Sequence, residues 1–363
     1  MPTNATRNIE KSDLDSFLGN GWFMGLGRES CLLAWGRPKK NKKPLSDKLQ
    51  FYIPDFYLTD PSPWVTFESV AVVQRQEIIE KLADFANFPS LDLTFTDPDF
   101  TEFVKIFSAI QKKLVTGEYN KFVPCVFSKG SGTMTKAARA KHVSKLLQNA
   151  FKQTPYGYFT PTEGILGASP ENLFTYDPQN STLSTMALAG SRSSDREKVD
   201  SILNDPKEVF EHQLVVKGIK EKLNSFGELE ISPTYVWDLG LIAHLRTDIN
   251  IELAEKVSSL SLFSEMCQLL HPTPALGISP TSKDWRVLKE FEGSVSRRRF
   301  GAPFGVLSPE GRSIACVAIR NIQWDEEGVF VGTGCGIVSQ SQIDAEWSEL
   351  NLKRKTIYQM LGL

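Results

Sequence analysis

The spacing of hydrophobic residues changes along the chain and predicts both strands and helices. Residues 21–35 alternate small, aromatic and aliphatic side chains, and residues 68–76 have the apolar, β-branched character of a strand. Between residues 100 and 116 the apolar side chains recur at helical spacing, which places them on one face. Residues 135–151 are predicted to be helical, and residues 157–173 to form strand, turn and strand.

Two later helices have clearer boundaries. Asp205 is followed by Pro206 and, three residues after the cap, by Glu208. This arrangement predicts a helix over residues 205–223 that begins with a capping box. Residues 343–363 are predicted to form the C-terminal helix.

Other segments are rich in strand-forming residues. Residues 313–324 and 328–338 are joined by a short acidic turn that ends in glycine, which predicts a hairpin. The apolar run of residues 121–127 resembles a buried strand, although Pro124 removes a backbone donor. The basic residues 38–43 are interpreted as a solvated turn rather than a nucleic-acid patch, because no aromatic side chain lies among them.

Alternating strands and helices with recurrent hairpins favour an α+β fold over a doubly wound parallel sheet. The chain has 363 residues and contains no linker, repeat or low-complexity segment that would divide it. We therefore expect a single large domain.

Composition and charge exclude several classes of protein. The chain is 41% hydrophobic and 23% charged, with a net charge of −2, so no overall field attracts nucleic acid or a membrane surface. The five cysteines are scattered, without a Cys-x-x-Cys pair, which argues against a disulfide framework or zinc site. We expect a cytoplasmic protein, since neither a signal peptide nor a membrane span is evident.

Two predicted helices each carry a pair of glutamates. Glu208 and Glu211 are three residues apart, as are Glu346 and Glu349, so each pair shares a helix face, which Lys353 continues by one turn. Two such faces can hold a hard divalent cation, and Mg²⁺ suits oxygen ligands best. Spacing alone leaves open that both faces are simply solvated.

Two glycine- or proline-rich segments are further candidates. Residues 332–336 contain three glycines that would let a backbone approach an anion, although a tight bend explains them equally well. His271 begins a Pro-Thr-Pro turn that could aim the imidazole into a cleft, or could serve structure alone. No Gly-x-Ser-x-Gly motif supports a hydrolase triad.

Together, these segments resemble the chorismate-utilising enzymes, a family of isochorismate, salicylate, anthranilate and aminodeoxychorismate synthases. The resemblance extends from Lys121 to the C-terminus, with the family's motifs in order. The motifs are Gly167-Ala-Ser-Pro-Glu171, Ala187-Leu-Ala-Gly-Ser-Arg192, Lys207-Glu-Val-Phe-Glu-His212, His271-Pro-Thr-Pro-Ala275, Ile319-Arg320, Gly334-Cys-Gly-Ile337 and Glu346-Trp-Ser-Glu349 with Lys353.

The resemblance implies a fold of central β-sheets surrounded by helices. Residues 1–100 would be its strand-rich N-terminal part, and residues 101–363 the chorismate-binding catalytic region. It also implies Mg²⁺ held by Glu211 and Glu349, with the carboxylates of Glu208 and Glu346 nearby. The positions that match substrate-binding residues are Gly190, Ser191, His271, Arg320, Gly336 and Lys353.

Lys121 matches the general base of the water-using members, and Glu171 matches the general acid that protonates the departing C4 hydroxyl. Glu171 must be protonated beforehand, so its pKa must be raised. The resemblance therefore implies a magnesium-dependent isochorismate synthase acting on chorismate, for menaquinone or siderophore formation. A monomer is expected, with a homodimer as the alternative.

Three other functions stay open. A salicylate synthase would use the same base, acid and metal. An anthranilate-type activity is disfavoured by Lys121. Pro124, Ser128 and Phe300 depart from the family pattern and leave open an inactive relative that serves as a binding protein.

Overall fold

The computed structural model describes residues 7–86, 93–194, 199–253 and 259–363. The helices are α1 (Lys11–Gly19), α2 (Arg75–Ala86), α3 (Phe100–Val115), α4 (Lys136–Asn149), α5 (Pro206–Leu223), α6 (Ser259–Leu270) and α7 (Ile343–Leu361). The strands are β1 (Gly21–Leu26), β2 (Ser30–Trp35), β3 (Lys39–Asn41), β4 (Gln50–Tyr52), β5 (Trp64–Thr66), β6 (Ser69–Gln74), β7 (Thr94–Thr96), β8 (Lys121–Phe122), β9 (Cys125–Ser131), β10 (Thr154–Phe159), β11 (Gly164–Ser169), β12 (Asn172–Asp177), β13 (Thr182–Ser193), β14 (Gly227–Ile231), β15 (Tyr235–Asp238), β16 (Ile242–Leu253), β17 (Ile278–Ser279), β18 (Pro303–Leu307), β19 (Ser313–Val317), β20 (Asn321–Asp325) and β21 (Gly328–Gly334). Two 3₁₀ segments cover Val199–Asn204 and Trp285–Phe291.

The strands form two large antiparallel sheets and one small one within the described residues. The first sheet has the order β6-β2-β1-β10-β11-β20-β21-β9-β7. The second has the order β14-β16-β13-β12-β19-β18-β4-β5-β3, with β15 paired to β16, and β17 pairs with β8 separately. The predicted α+β fold in one domain, with central sheets and surrounding helices, is confirmed.

The two large sheets pack face to face, and helices cover their outer faces. Trp22 of β1 stacks on Phe304 of β18, with ring centroids 5.5 Å apart, in the apolar layer between the sheets. The neighbouring Phe23 points the other way and packs among α1, α2, α4 and α7. Successive side chains of a strand point to opposite faces, so a strand buried on both faces must be apolar throughout. Helices α5 and α6 cover the second sheet.

Most of the predicted elements are found, and their ends follow from local chemistry. The side chain of Thr135 accepts a hydrogen bond from the backbone of Ala138 and caps α4. Pro124 separates β8 from β9, as the missing donor leads one to expect. One prediction is wrong: residues 38–43 are not only a turn, because Lys39–Asn41 pair with β5 and extend the second sheet.

Candidate active site

A pocket opens where β13, β21 and the turn before β20 come together with α5 and α7, with about 590 Å³ of empty space that includes part of the open solvent. Both polar and apolar residues line it. The predicted site residues on the lining are Glu171, Gly190, Ser191, Glu211, Arg320, Gly336 and Lys353, and the apolar residues include Leu188, Ala275, Leu276, Phe300 and Ile319.

The two glutamate pairs predicted from the sequence meet around one cation, the ammonium of Lys207. Its Nζ lies 3.2 Å from Glu208 Oε1, 3.1 Å from Glu211 Oε2 and 3.1 Å from Glu346 Oε1. Glu349 belongs to the same electrostatic cluster and pairs with Lys353 at 2.5 Å. Two helices that are far apart in sequence thus bring four carboxylates to one place.

Charges in this cluster are unevenly compensated. Burial disfavours the charged form of Glu211, but the ammonium groups of Lys121 and Lys207 outweigh it and lower its pKa to about 2. Burial raises the pKa of Glu208 to about 7, and burial together with the charge of Glu349 raises that of Glu346 to about 8. The four carboxyls therefore ionise unequally: Glu211 is ionised near neutral pH, whereas Glu208 and Glu346 hold protons in part.

Among the described residues, no group of three or more carboxylate, histidine or cysteine side chains is arranged as a ready metal site. Carboxylate oxygens from two helices instead surround one cation, the ammonium of Lys207. Oxygen donors of this kind are the ligands that Mg²⁺ prefers.

Lys121 lies directly behind the cavity wall. Its side chain is fully buried, and its Nζ is 2.9 Å from Glu211 Oε1. Gly336 makes this contact possible, because a Cβ at that position would lie 2.0 Å from Glu211 Oε1 and 2.7 Å from Lys121 Cε. Gly336, just past the end of β21, therefore allows close packing against the charged cluster.

Glu171 follows the end of β11 and projects into the cavity. Its Oε1 accepts a hydrogen bond of 3.0 Å from the Thr273 hydroxyl. Burial raises the pKa of Glu171 to about 7, although Thr273 and the charge of Lys121 act in the opposite direction. The raised pKa expected of this carboxyl is thus present, so a large share is protonated near neutral pH.

Arg320 is held in a defined orientation on the cavity wall. Its backbone has a φ of 56°, a left-handed conformation that is unfavourable for a non-glycine residue. Its guanidinium donates to His244 Nε2 at 3.0 Å and to the Thr356 hydroxyl at 2.7 Å. Because Arg320 can only donate, the proton of neutral His244 lies on Nδ1, which faces the carbonyl of Gly190 at 3.1 Å.

Gly190 and Ser191 form a bulge in β13 at the cavity edge. The register with β16 shifts between Ala189 and Ser191, and Gly190 has a φ of 76°. The backbone N–H of Ser191 donates to Glu208 Oε2 at 2.8 Å. The predicted capping box is therefore only half correct: Asp205 caps α5, but Glu208 binds this bulge instead of the cap residue.

His271 is the one predicted substrate-binding residue that the structure does not bring to the cavity. The ring is buried, and its Nε2 lies 2.6 Å from the backbone carbonyl of Phe56. Burial lowers the pKa of His271 to about 3, so the neutral ring donates this hydrogen bond. The imidazole ring also packs in T-shaped geometry against the rings of Phe56 and Trp285. The residue fixes the Pro-Thr-Pro turn, from which Thr273 reaches Glu171.

Sequence reasoning did not single out Lys207, His244 or Thr273. Lys207 and Thr273 lie inside two of the family motifs, and this position could have identified them as site residues. His244 lies outside those motifs, and its position opposite Ser191 follows only from strand pairing.

Comparison with known proteins gives a consistent result. A family profile described as "Chorismate binding enzyme" matches residues 65–362. Isochorismate synthase EntC of Escherichia coli K12 is 30% identical over 319 residues, which cover 84% of this chain and 77% of that protein. Isochorismate synthase MenF of Bacillus subtilis is 34% identical over 221 residues, or 58% of this chain. The matched part spans only 45% of the Bacillus protein.

The fold is shared with solved structures. The crystal structure of the isochorismate synthase DhbC from Bacillus anthracis superposes with a TM-score of 0.79 at 21% identity, covering 98% of this chain and all of that one. In the described part of the present chain, no helix is both long and apolar enough to cross a membrane.

Proposed function

Because this chain belongs to the chorismate-binding enzyme family, we propose that it is an isochorismate synthase that converts chorismate to isochorismate. Lys121 takes a proton from a water molecule that forms a bond to ring carbon C2. Glu171 gives its proton to the C4 hydroxyl, which leaves as water while the ring double bond shifts. One water enters and one departs, so substrate and product are isomers.

One observation carries this proposal: a buried carboxyl whose pKa is raised to about 7 lines the same cavity as two fixed cations. A general acid must hold its proton until the leaving group departs, and burial of Glu171 provides this. Arg320 and Lys353 offer positive charge to carboxylates of the substrate, and a planar guanidinium suits such a group geometrically.

We further propose that Glu211 and Glu349 hold Mg²⁺, assisted by Glu208 and Glu346. The bound ion would supply positive charge to the ring carboxylate of chorismate and so fix its orientation. The protein's own groups then need only place water near Lys121 and the C4 hydroxyl near Glu171.

A product assay tests the proposal directly. Purified protein is incubated with chorismate and MgCl₂, and the products are separated by liquid chromatography. We expect isochorismate without salicylate or pyruvate. Lys121→Ala and Glu171→Gln should each lower turnover by about a hundredfold or more. Lys217→Ala changes an exposed residue of α5 and is the matched control.

Each alternative gives a different result in this assay. Salicylate together with pyruvate would identify a salicylate synthase. Turnover that requires ammonia would identify an anthranilate-type enzyme. Binding of chorismate without any product would identify an inactive relative, and unchanged turnover in both active-site variants would refute the assigned roles.

A further inference from the structure

Lys207 holds an unusual position for a lysine on the first turn of a helix. Its ammonium contacts Glu208, Glu211 and Glu346 within 3.2 Å. These oxygens belong to the side chains proposed to surround the metal ion. A cation that is part of the protein thus sits among the proposed metal ligands.

The other two lysines of the cluster are held differently. Lys121 is fully buried beside Glu211, and Lys353 also donates to the carbonyl of Gly334 at 2.8 Å. The ion pairs of Lys207 are with Glu208, Glu211 and Glu346 of the carboxylate cluster, and 19% of its side chain is exposed. A flexible four-carbon chain at the edge of the cluster can turn towards solvent without disturbing a backbone contact.

We propose that Lys207 is the resident counter-ion of the metal-free site and that a divalent cation binds by displacing its ammonium. This inference rests on the metal-binding part of the proposed function. Lys207 acts here as a positioning residue, because it keeps the four carboxylates together before the metal arrives. It also sets the metal affinity, since the metal must compete with it.

Competition for the same oxygens supports an exchange rather than simple addition. The ammonium of Lys207 lies within 3.2 Å of oxygens of Glu208, Glu211 and Glu346, which are proposed to surround the metal ion. If Lys207 stayed in place, its ammonium and the divalent cation would repel each other while competing for these oxygens.

Calorimetric titration with MgCl₂ in the absence of chorismate tests the competition. If Lys207 fills the site in about nine of ten metal-free molecules, its removal should lower the apparent Kd about tenfold. We therefore expect Lys207→Met to bind Mg²⁺ about tenfold more tightly than wild type. Lys217→Met, which alters an exposed lysine of the same helix, should leave the Kd unchanged. An unchanged or higher Kd in Lys207→Met would overturn the proposal, as would a lack of Mg²⁺ binding in every protein.

A second measurement uses the wild-type protein and does not depend on whether the variant folds. Lysines are acetylated briefly with an N-hydroxysuccinimide ester, with and without MgCl₂, and each site is quantified by mass spectrometry. Displacement predicts that Mg²⁺ increases modification of Lys207 at least threefold, while Lys217 is unaffected. Equal or slower modification of Lys207 at saturating Mg²⁺ would contradict displacement.

Neither experiment contains chorismate, so a negative result in either one contradicts the exchange at Lys207 without testing the proposed reaction. A protein that forms isochorismate but shows no exchange at Lys207 would retain the proposed function and lose this inference. A protein that shows the exchange but forms no isochorismate would support this inference and contradict the proposed function.

Discussion

Replacement of Glu171 by glutamine separates two effects of this carboxyl: the folding stability lost by burying it and its proposed role as general acid. The pKa of this carboxyl lies near 7 in the folded protein and near 4.5 when unperturbed. Because the pKa of Glu171 is higher in the folded protein, this carboxyl ionises at lower pH in the unfolded chain. Its ionisation therefore favours the unfolded chain and lowers the free energy of unfolding once the pH exceeds 4.5. The cost grows until the pH passes 7 and then amounts to about 3 kcal/mol.

Glutamine has nearly the same size and keeps an oxygen that can accept the hydrogen bond from Thr273. We therefore expect Glu171→Gln to be about 3 kcal/mol more stable than wild type at pH 8.5, with a smaller gain as the pH falls towards 5. Turnover should nevertheless fall by about a hundredfold or more, because an amide cannot protonate the leaving hydroxyl.

The assay is urea unfolding at pH 5.5 and 8.5, together with turnover of chorismate. Glu326→Gln, in the exposed turn between β20 and β21, is the control and should change stability by less than about 0.5 kcal/mol. Equal stability of Glu171→Gln and wild type at pH 8.5 would refute the assigned cost of burial. Retained turnover would refute the role of general acid.

Three further predictions concern the same cavity. Thr273→Val removes a hydrogen bond that favours ionised Glu171, so the pKa should rise further and the alkaline limb of the pH–rate profile should move to higher pH. Gly336→Ala places a Cβ 2.0 Å from Glu211 Oε1 and should lower both turnover and Mg²⁺ affinity at least tenfold by steady-state kinetics and calorimetry. Gly19→Ala, where the nearest atom lies at 3.8 Å, is the control, and equal losses in the two variants would contradict this reasoning. Removal of divalent ions with EDTA should abolish turnover, and addition of MgCl₂ should restore it; full activity in EDTA would refute the metal requirement.

Local patterns along the chain predicted much of the fold. Thr135 and Asp205 cap their helices through contacts within three residues, so the sequence alone locates the beginnings of α4 and α5. Pro124 interrupts strand pairing because it lacks a donor, wherever the strand lies. The paired glutamates share a helix face for the same local reason.

Other features depend on contacts between distant segments and were not predictable. Glu208 fits a capping box by its spacing, but in the folded protein its carboxylate accepts a hydrogen bond from the N–H of Ser191 in the β13 bulge, and the N–H of Asp205 donates to the carbonyl of Ile202. The sequence context of His271 suggests a binding residue, yet its ring donates a hydrogen bond to the carbonyl of Phe56, which is far away in sequence. The pairing of the edge residues 39–41 likewise depends on where β5 lies.

Residue types and the order of the motifs indicate which residues can carry the chemistry and to which family the chain belongs. Which of those residues meet depends on the packing of distant segments. Whether Glu171 keeps its proton depends on burial, and whether Lys207 faces water or four carboxylates depends on how α5 packs against α7. The spacing of hydrophobic residues and the caps of helices depend on residues nearby in the sequence. The protonation state, burial and hydrogen-bond partners of a side chain depend on residues nearby in space.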